Sequence, residues 1–392
     1  MKKFVKLSLA AAVASTGFVS ANAGALEDAI KNTSIVGYAT IRYDDRNRDD
    51  NTGSNEYTQN NTKAAVVLTS KINDNLSYTY AAAFLGGSDT SSTNRDEDGV
   101  SKETGVSNYL GGNIYTVYNN FTYTGIANTT VIFGTQALDV PQTNAVDVIS
   151  GTQEGTGIAA VTTLGPVTLV GGYMNETNIA NGDQVSKLGV AQADVDAVNK
   201  AGLVILQAKA KVANISLDAT YLDVNDIADS FSIGAKTSLN IDAVKVSPFI
   251  RYTQMDFDGD SDTNSMFTVG ASAKAGIVGG KLAYSKTNKD GGFVAFDTDA
   301  EAAYQGWGLQ INGNADANMI YTNLNVDVMT GVNVAINYNK LEVGNDDSNE
   351  VYGQLAWKPS KNFMAYLRYG QVDYANTSND GERGRIHVQY TF

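Results

Sequence analysis

The stretch Arg385-Ile386-His387-Val388-Gln389-Tyr390-Thr391-Phe392 closes the sequence and alternates polar and apolar residues throughout. In an extended strand, alternate side chains share a face. The apolar face carries Ile386, Val388, Tyr390 and Phe392. Because an exposed apolar edge strand promotes aggregation in water, the pattern favours a strand that closes a barrel between lipid and water. A half-buried edge strand of a soluble protein alternates in the same way, so this stretch alone leaves both interpretations open.

The same two-residue period recurs along the chain, whereas helical spacing is scarce. Clear examples are residues 35–43, 215–221, 231–239, 332–338 and 363–369. We interpret the chain as all-β, a transmembrane antiparallel barrel of about eighteen strands, each roughly ten residues long. Sixteen strands are also possible, because residues 293–319 show no clear pattern.

The connections between these segments alternate in length, with tight turns such as 72–75, 164–166 and 359–362. Longer polar connections are predicted at residues 44–59, 86–107, 137–155, 176–200, 256–264, 288–302, 344–349 and 374–384. Short periplasmic turns on one side and long external loops on the other are typical of outer-membrane barrels.

The first 23 residues have the features of an export signal. A basic start (Lys2, Lys3 and Lys6) precedes a short apolar run, and Ala21-Asn22-Ala23 offers a small-residue cleavage site. We therefore expect a signal peptide over residues 1–23 and a single barrel domain over residues 24–392.

Composition excludes several classes of protein. The chain has no cysteine, so no disulfide framework, and no apolar stretch long enough for a spanning helix. The formal charge of −14 argues against a nucleic-acid partner. His387 is the only histidine, which rules out metal sites built on His clusters and any Cys-His pair. No G-x-S-x-G motif accompanies it, so we predict that the protein is not an enzyme.

The non-lipid face of the predicted strands carries many cations. A wall of charged residues with Ser, Thr, Asn and Gln between them is stable only beside water. The predicted pore wall consists of Arg42, Lys63, Lys209, Lys211, Lys236, Lys245, Arg251, Lys274, Arg368 and Arg385, with His387 beside them. In a two-layer soluble sheet the same residues would simply face solvent, and a one-residue register slip would reverse any assignment.

Residues 137–155, the third long connection, are the candidate pore constriction. The segment mixes the carboxylates of Asp139, Asp147 and Glu154 with apolar residues that an external loop does not need. These apolar residues are Leu138, Val140, Val146, Val148 and Ile149. Folding against the inner wall would bury them and set the three carboxylates opposite the cations, producing a transverse field across the pore. The alternative is a loop that packs on the external surface.

Calcium binding is a weaker possibility. Residues 256–262 (DFDGDSD) place four carboxylates at alternate positions, and such oxygen-rich loops suit Ca²⁺. The spacing is not that of an EF-hand, because Phe267 stands where the bidentate Glu belongs. We favour a hydrated external loop as the interpretation of this run. Asp139, Asp147 and Glu154 are a second candidate set if the loop gathers them.

Several patches resemble the major outer membrane porins of Campylobacter and its relatives. They are the export segment, residues 26–31 (LEDAIK) leading into 35–38 (IVGY), residues 131–136 (VIFGTQ) and residues 388–392 (VQYTF). The resemblance covers the mature chain in layout and only these patches in residues. It implies an eighteen-stranded trimer, a third loop folded into the pore and diffusion of small hydrophilic solutes.

Together these features predict a passive porin in the outer membrane of a Gram-negative bacterium. It would require no cofactor, contact outer-membrane lipid and lipopolysaccharide, form a homotrimer, and present its last strand to the barrel-assembly machinery. The alternative function is a surface-exposed adhesion or binding barrel with a closed pore. A soluble secreted β-sandwich is the third possibility.

Overall fold

The computed structural model describes residues 31–48, 57–91, 113–181, 192–259, 262–375 and 380–392. The predicted signal peptide, residues 1–23, lies outside these ranges. Within these ranges, nineteen β-strands pair into one antiparallel sheet. They are β1 Thr33–Arg48, β2 Tyr57–Lys71, β3 Leu76–Ser91, β4 Asn113–Ile126, β5 Thr129–Ala137, β6 Glu154–Leu164, β7 Val167–Thr177, β8 Leu203–Val212, β9 Ile215–Val224, β10 Ala228–Thr237, β11 Leu239–Ile241, β12 Val244–Phe257, β13 Thr263–Ala275, β14 Val278–Thr287, β15 Ala317–Met329, β16 Val332–Val343, β17 Asp346–Ser360, β18 Phe363–Asp373 and β19 Gly381–Thr391.

The sheet closes on itself. β1 pairs with β19 in a register that runs from Tyr38 opposite Thr391 to Arg48 opposite Gly381. The backbone groups of Gly37 and Phe392 extend this seam with two further hydrogen bonds of 3.0 and 2.9 Å. Since β10 and β11 both pair with β12, they form one interrupted wall strand, and the barrel has eighteen strands rather than sixteen. The predicted fold class is confirmed.

The outer face of the barrel is apolar and exposed. Ile41, Phe133 and Leu282 each leave more than half of their surface uncovered, at 61%, 64% and 61%. On β19, Ile386 and Tyr390 are also exposed, whereas His387 between them is buried. A continuous apolar band of this kind is stable against lipid and unstable in water.

The described residues include a short 3₁₀ turn at Ile179–Asn181 and a helix, α1, at Gln192–Lys200. Both lie in the connection between β7 and β8, at the external end of the barrel. Among the described residues, no helix combines the length and apolar character needed to cross a membrane.

Two connections fold into the barrel and create its core. The constriction loop, residues 138–153 between β5 and β6, buries Leu138 and Val140 in a cluster with Met174, Leu203 and Met255. The inner segment, residues 288–316 between β14 and β15, contributes its own buried residues. These are Phe293, Val294, Phe296, Leu309 and Ile311. The first connection follows our prediction, whereas residues 288–302, predicted as an external loop, lie inside the barrel.

One predicted long connection is short. Residues 344–349 were expected to form a polar loop, but β16 ends at Val343 and β17 begins at Asp346. Gly344 occupies the left-handed region with φ of 60°, which glycine adopts without strain. The polar residues from Asp346 onward belong to β17, so polarity alone does not mark the turn.

Candidate pore constriction

Lys63 fastens the constriction loop to the wall. Its side chain is fully buried, and its ammonium group donates hydrogen bonds of 2.6 Å to the carbonyl oxygens of Asp147 and Ser150. Tyr38, on the neighbouring strand β1, donates a third hydrogen bond of 2.9 Å to the Asp147 carbonyl. Lys63 thus lies on the inner face, and its charge is directed at loop backbone.

The Asp147 carboxylate is used within its own loop. Oδ1 accepts the backbone N–H groups of Ile149 and Ser150, both at 2.7 Å, and Oδ2 accepts the Ser150 hydroxyl. Asn144 adds a bond of 3.3 Å. This Asx-type arrangement stabilises the turn that presents carbonyl oxygens to Lys63.

Glu154 is the first residue of β6 and is partly buried. Its Oε2 atom is enclosed and has no hydrogen-bond partner within the described part of the chain. The backbone around it is fixed by Asn178, whose side-chain oxygen accepts the Glu154 N–H at 2.7 Å. The described residues contain no group of three acidic side chains, so the carboxylates of Asp139, Asp147 and Glu154 do not form a single cluster.

Asp139 does meet the cationic wall. Its side chain is 83% exposed, and Oδ2 lies 3.3 Å from the ammonium group of Lys209 on β8. Both residues line a cavity of about 530 Å³ between the constriction loop, the inner segment and the wall, together with Lys211 and Lys236. A solute in this cavity is exposed to charges of both signs.

Glu301, on the inner segment, supplies a second acid that sequence reasoning missed. Its Oε1 lies 3.0 Å from Arg251 on β12 and 3.6 Å from Lys236 on β10. Arg251 also forms a bidentate pair with Asp218 at 2.8 and 3.1 Å. Apolar residues in a connection predicted the inward fold of residues 137–155, and Phe293 and Phe296 give the same signal for the inner segment.

A second group of predicted wall cations lies at the seam of the barrel. Arg385 pairs with Asp44 on β1, and Arg42 donates through Nε to His387 Nδ1 at 3.2 Å. The Tyr366 ring stacks on His387 with centroids 4.8 Å apart.

Arg368, beside this group on β18, lies among aromatic rings. Its guanidinium is 5.1 Å from the ring centroid of Trp307 and 4.9 Å from that of Tyr352. Arg368 also donates to Gln354 Oε1 from Nε and a terminal nitrogen, at 3.0 and 2.7 Å. Stacking and hydrogen bonding therefore hold this cation against the wall.

The remaining two predicted wall cations lie near the periplasmic turns. Lys245 and Lys274 are direct cross-strand neighbours on β12 and β13. Lys274 forms an ion pair with Asp327. The structure thus gathers Lys209, Lys211 and Lys236 around the first cavity and leaves Lys245 and Lys274 outside it. Arg251 is paired with two residues that line this cavity, Asp218 and Glu301.

One apolar residue of the constriction loop differs from expectation. Val146 is 63% exposed, whereas the predicted inward fold would bury it. The next residue, Asp147, closes a tight turn and offers its carbonyl oxygen to Lys63, and this turn leaves the Val146 side chain uncovered.

A second cavity of about 590 Å³ adjoins the first. Lys211, Ser216, Lys236 and Glu301 line both cavities. The second cavity adds Lys281 and the rings of Phe249 and Tyr304. Burial raises the pKa of the Tyr304 phenol above its usual range, so this side chain is neutral.

Within the described residues, no three His, Cys, Asp or Glu side chains are grouped as a metal site requires. The predicted calcium run at 256–262 includes residues 260 and 261, which lie outside the described ranges.

Comparison with known proteins identifies relatives of this architecture. The profile of the family described as Campylobacter major outer membrane protein matches residues 1–392. A BenF-like porin from Pseudomonas fluorescens Pf-5 superposes with a TM-score of 0.73 at 13% identity, covering 92% of this chain and 99% of that one. OpdQ from Pseudomonas aeruginosa gives 0.71 at 16% identity with the same coverage.

OccAB4 from Acinetobacter baumannii also superposes on this chain, with a TM-score of 0.70 at 13% identity. The alignment covers 92% of this chain and 98% of that one. At these identities the three structures establish a shared barrel fold. No curated protein matches the sequence significantly.

Proposed function

Because the chain belongs to the Campylobacter major outer membrane protein family, we propose that it passes ions and small hydrophilic solutes through a constriction between acidic loops and a basic wall. The protein is an outer-membrane porin of a Gram-negative bacterium and not an enzyme, as the family and the barrel indicate. Diffusion through such a pore is passive and requires no cofactor.

The mixed charge around the first cavity carries this proposal. Asp139 and Glu301 approach from the two interior connections, and Lys209, Lys236 and Arg251 face them from the wall. Opposite charges on facing sides of a narrow aqueous passage create a transverse field, which orients dipolar solutes and selects ions by charge. We therefore assign the acidic side of the constriction to Asp139 and Glu301.

The test is the reversal potential of single channels in asymmetric KCl. A unit charge ~10 Å from an ion in water contributes roughly 0.4 kcal/mol, with opposite sign for K⁺ and Cl⁻, so Glu301→Gln should lower the K⁺/Cl⁻ permeability ratio about fourfold. Asp139→Asn should act in the same direction. Asp74→Asn, which removes a carboxylate from a periplasmic turn, is the matched control and should leave the ratio unchanged. Equal ratios in all four proteins would contradict the proposed field.

A closed adhesion barrel is the competing function. It would share the fold and the external loops but give no conductance in a planar bilayer. Stable channels of the wild-type protein would eliminate it.

The proposed partners follow from the family and the membrane location. We propose a homotrimer in contact with lipopolysaccharide, inserted by the barrel-assembly machinery through the last strand. A trimer should give conductance in groups of three equal steps and three times the chain mass in native mass spectrometry.

Two sequence-based proposals complete this assignment. Removal of residues 1–23 would make residue 24 the first of the mature chain, which mass spectrometry of the exported protein would test. Calcium binding would change channel conductance on addition of Ca²⁺ and reverse with a chelator; equal conductance in both conditions would remove it.

A further inference from the structure

The second cavity combines ammonium groups with an aromatic wall. We propose that it is a binding subsite for small organic anions that carry an aromatic ring, such as aromatic carboxylates. This inference rests on the proposed function, because such a solute reaches the cavity through the pore. The volume of about 590 Å³ falls in the range of pockets that hold small organic ligands.

The charge balance of the cavity favours an anion. Lys211, Lys236 and Lys281 line it, and Glu301 is the one carboxylate among its described lining residues. Glu301 is already paired with Arg251 and Lys236. Within the described part of the chain, Lys211 and Lys281 form no ion pair. Two ammonium groups therefore remain available to a ligand carboxylate.

Lys281 marks the junction between charge and aromatic surface. Its ammonium nitrogen lies 4.6 Å from the ring centroid of Tyr304 and 5.4 Å from that of Phe249. A carboxylate bound by Lys281 would extend its attached ring along these two side chains. Chloride and acetate can use only the cation, so the geometry discriminates among anions.

The aromatic wall is fixed in position. The Phe249 and Tyr304 rings lie 5.5 Å apart at 41°, and Tyr304 packs edge-on against Tyr321 at 4.5 Å. The Tyr321 hydroxyl donates to the Tyr304 carbonyl oxygen, which holds the backbone of the inner segment at this point. A preorganised wall costs a ligand little ordering free energy.

The cavity is also wet. Ser216, Ser238, Ser247 and Ser272 line it, and Lys281 is exposed to the lumen. Binding beside water is modest in strength, and a dissociation constant on the order of 1 mM suits a solute that must leave again.

The test uses sodium benzoate as the probe. Calorimetric titration of the detergent-solubilised full chain measures its binding, and single-channel recording measures current interruptions. Lys281→Met should weaken benzoate binding about tenfold, the loss expected for one charge-assisted hydrogen bond. Phe249→Leu should weaken benzoate about threefold and leave acetate unaffected. Lys361→Met, in a periplasmic turn, is the matched control.

The outcomes separate the subsite from the pore. Benzoate binding that is unchanged by Lys281→Met, or no stronger than acetate binding, would overturn the subsite while normal conductance upholds the porin. Absence of conductance with calorimetric binding intact would instead overturn the porin and support the subsite.

Discussion

At the scale of single residues, Lys63 has the clearest structural role. The alternation of β2 predicts that it faces the pore, and in the structure its ammonium group donates to two loop carbonyl oxygens. Each hydrogen bond from a charged donor contributes about 1.5–3 kcal/mol. Lys63→Met keeps the length of the side chain and removes both bonds. We therefore expect a loosened constriction loop, seen as larger and noisier single-channel currents.

Lys361→Met provides the comparison for that experiment, because it removes a lysine from an exposed turn. Single-channel currents of wild-type amplitude and noise in Lys63→Met would show that other contacts hold the loop.

Asp139 and Asp147 show what could not be predicted from the sequence at the scale of single residues. Both are loop carboxylates near cations, but Asp147 caps a turn formed with Ile149 and Ser150, and Asp139 reaches Lys209.

At the scale of elements, the inner segment depends on one buried carboxylate. Glu350 on β17 accepts the backbone N–H groups of Trp307, Gly308 and Leu309. A side chain at Gly306 would place its Cβ 2.1 Å from Glu350 Oε1, so this approach requires glycine. In Glu350→Gln the lost charge weakens these bonds, and hydrogen exchange at the three amides should accelerate by about tenfold or more.

Glu342→Gln is the control for exchange, since Glu342 on the neighbouring strand pairs with the partly exposed Lys340 and not with the inner segment. Unchanged protection of the three amides in Glu350→Gln would show that packing alone orders the segment.

The sequence did not predict this element, because its buried residues follow neither the strand period nor the helical one. Phe293 and Phe296 pack against an irregular backbone whose hydrogen bonds come from side chains such as Asn264.

At the scale of the whole molecule, closure of the barrel depends on the seam between β1 and β19. The Phe392 ring lies over Gly37, where an added Cβ would come within 2.7 Å of it. Phe392→Ala keeps the backbone pairing and removes the ring. We expect the free energy of unfolding to fall by about 2 kcal/mol, roughly half the value for a core Phe because the ring is half-exposed. Urea unfolding in lipid vesicles measures it.

Phe231→Ala truncates a ring on β10, away from the seam, that is exposed to the same degree (43% against 45% for Phe392), and it should cost less. Equal losses would mean that the contact of Phe392 at the seam adds no stability of its own. The eighteen-strand closure was predictable from the period of two, since lipid on one face and water on the other impose it on every strand. The inward fold of the constriction loop was also predictable from its apolar residues, whereas that of the inner segment was missed, because an irregular connection leaves no periodic signal.

The contact between those connections has a consequence for how such channels diverge. The Phe296 N–H donates to the Gln142 carbonyl, and the Ala302 N–H donates to the Pro141 carbonyl. The width of the pore is therefore set jointly by two connections that are attached to different strands of the barrel. An insertion in the constriction loop should be accompanied by a compensating change in the inner segment. We therefore expect relatives with a wider or narrower pore to differ in the sequences of both connections.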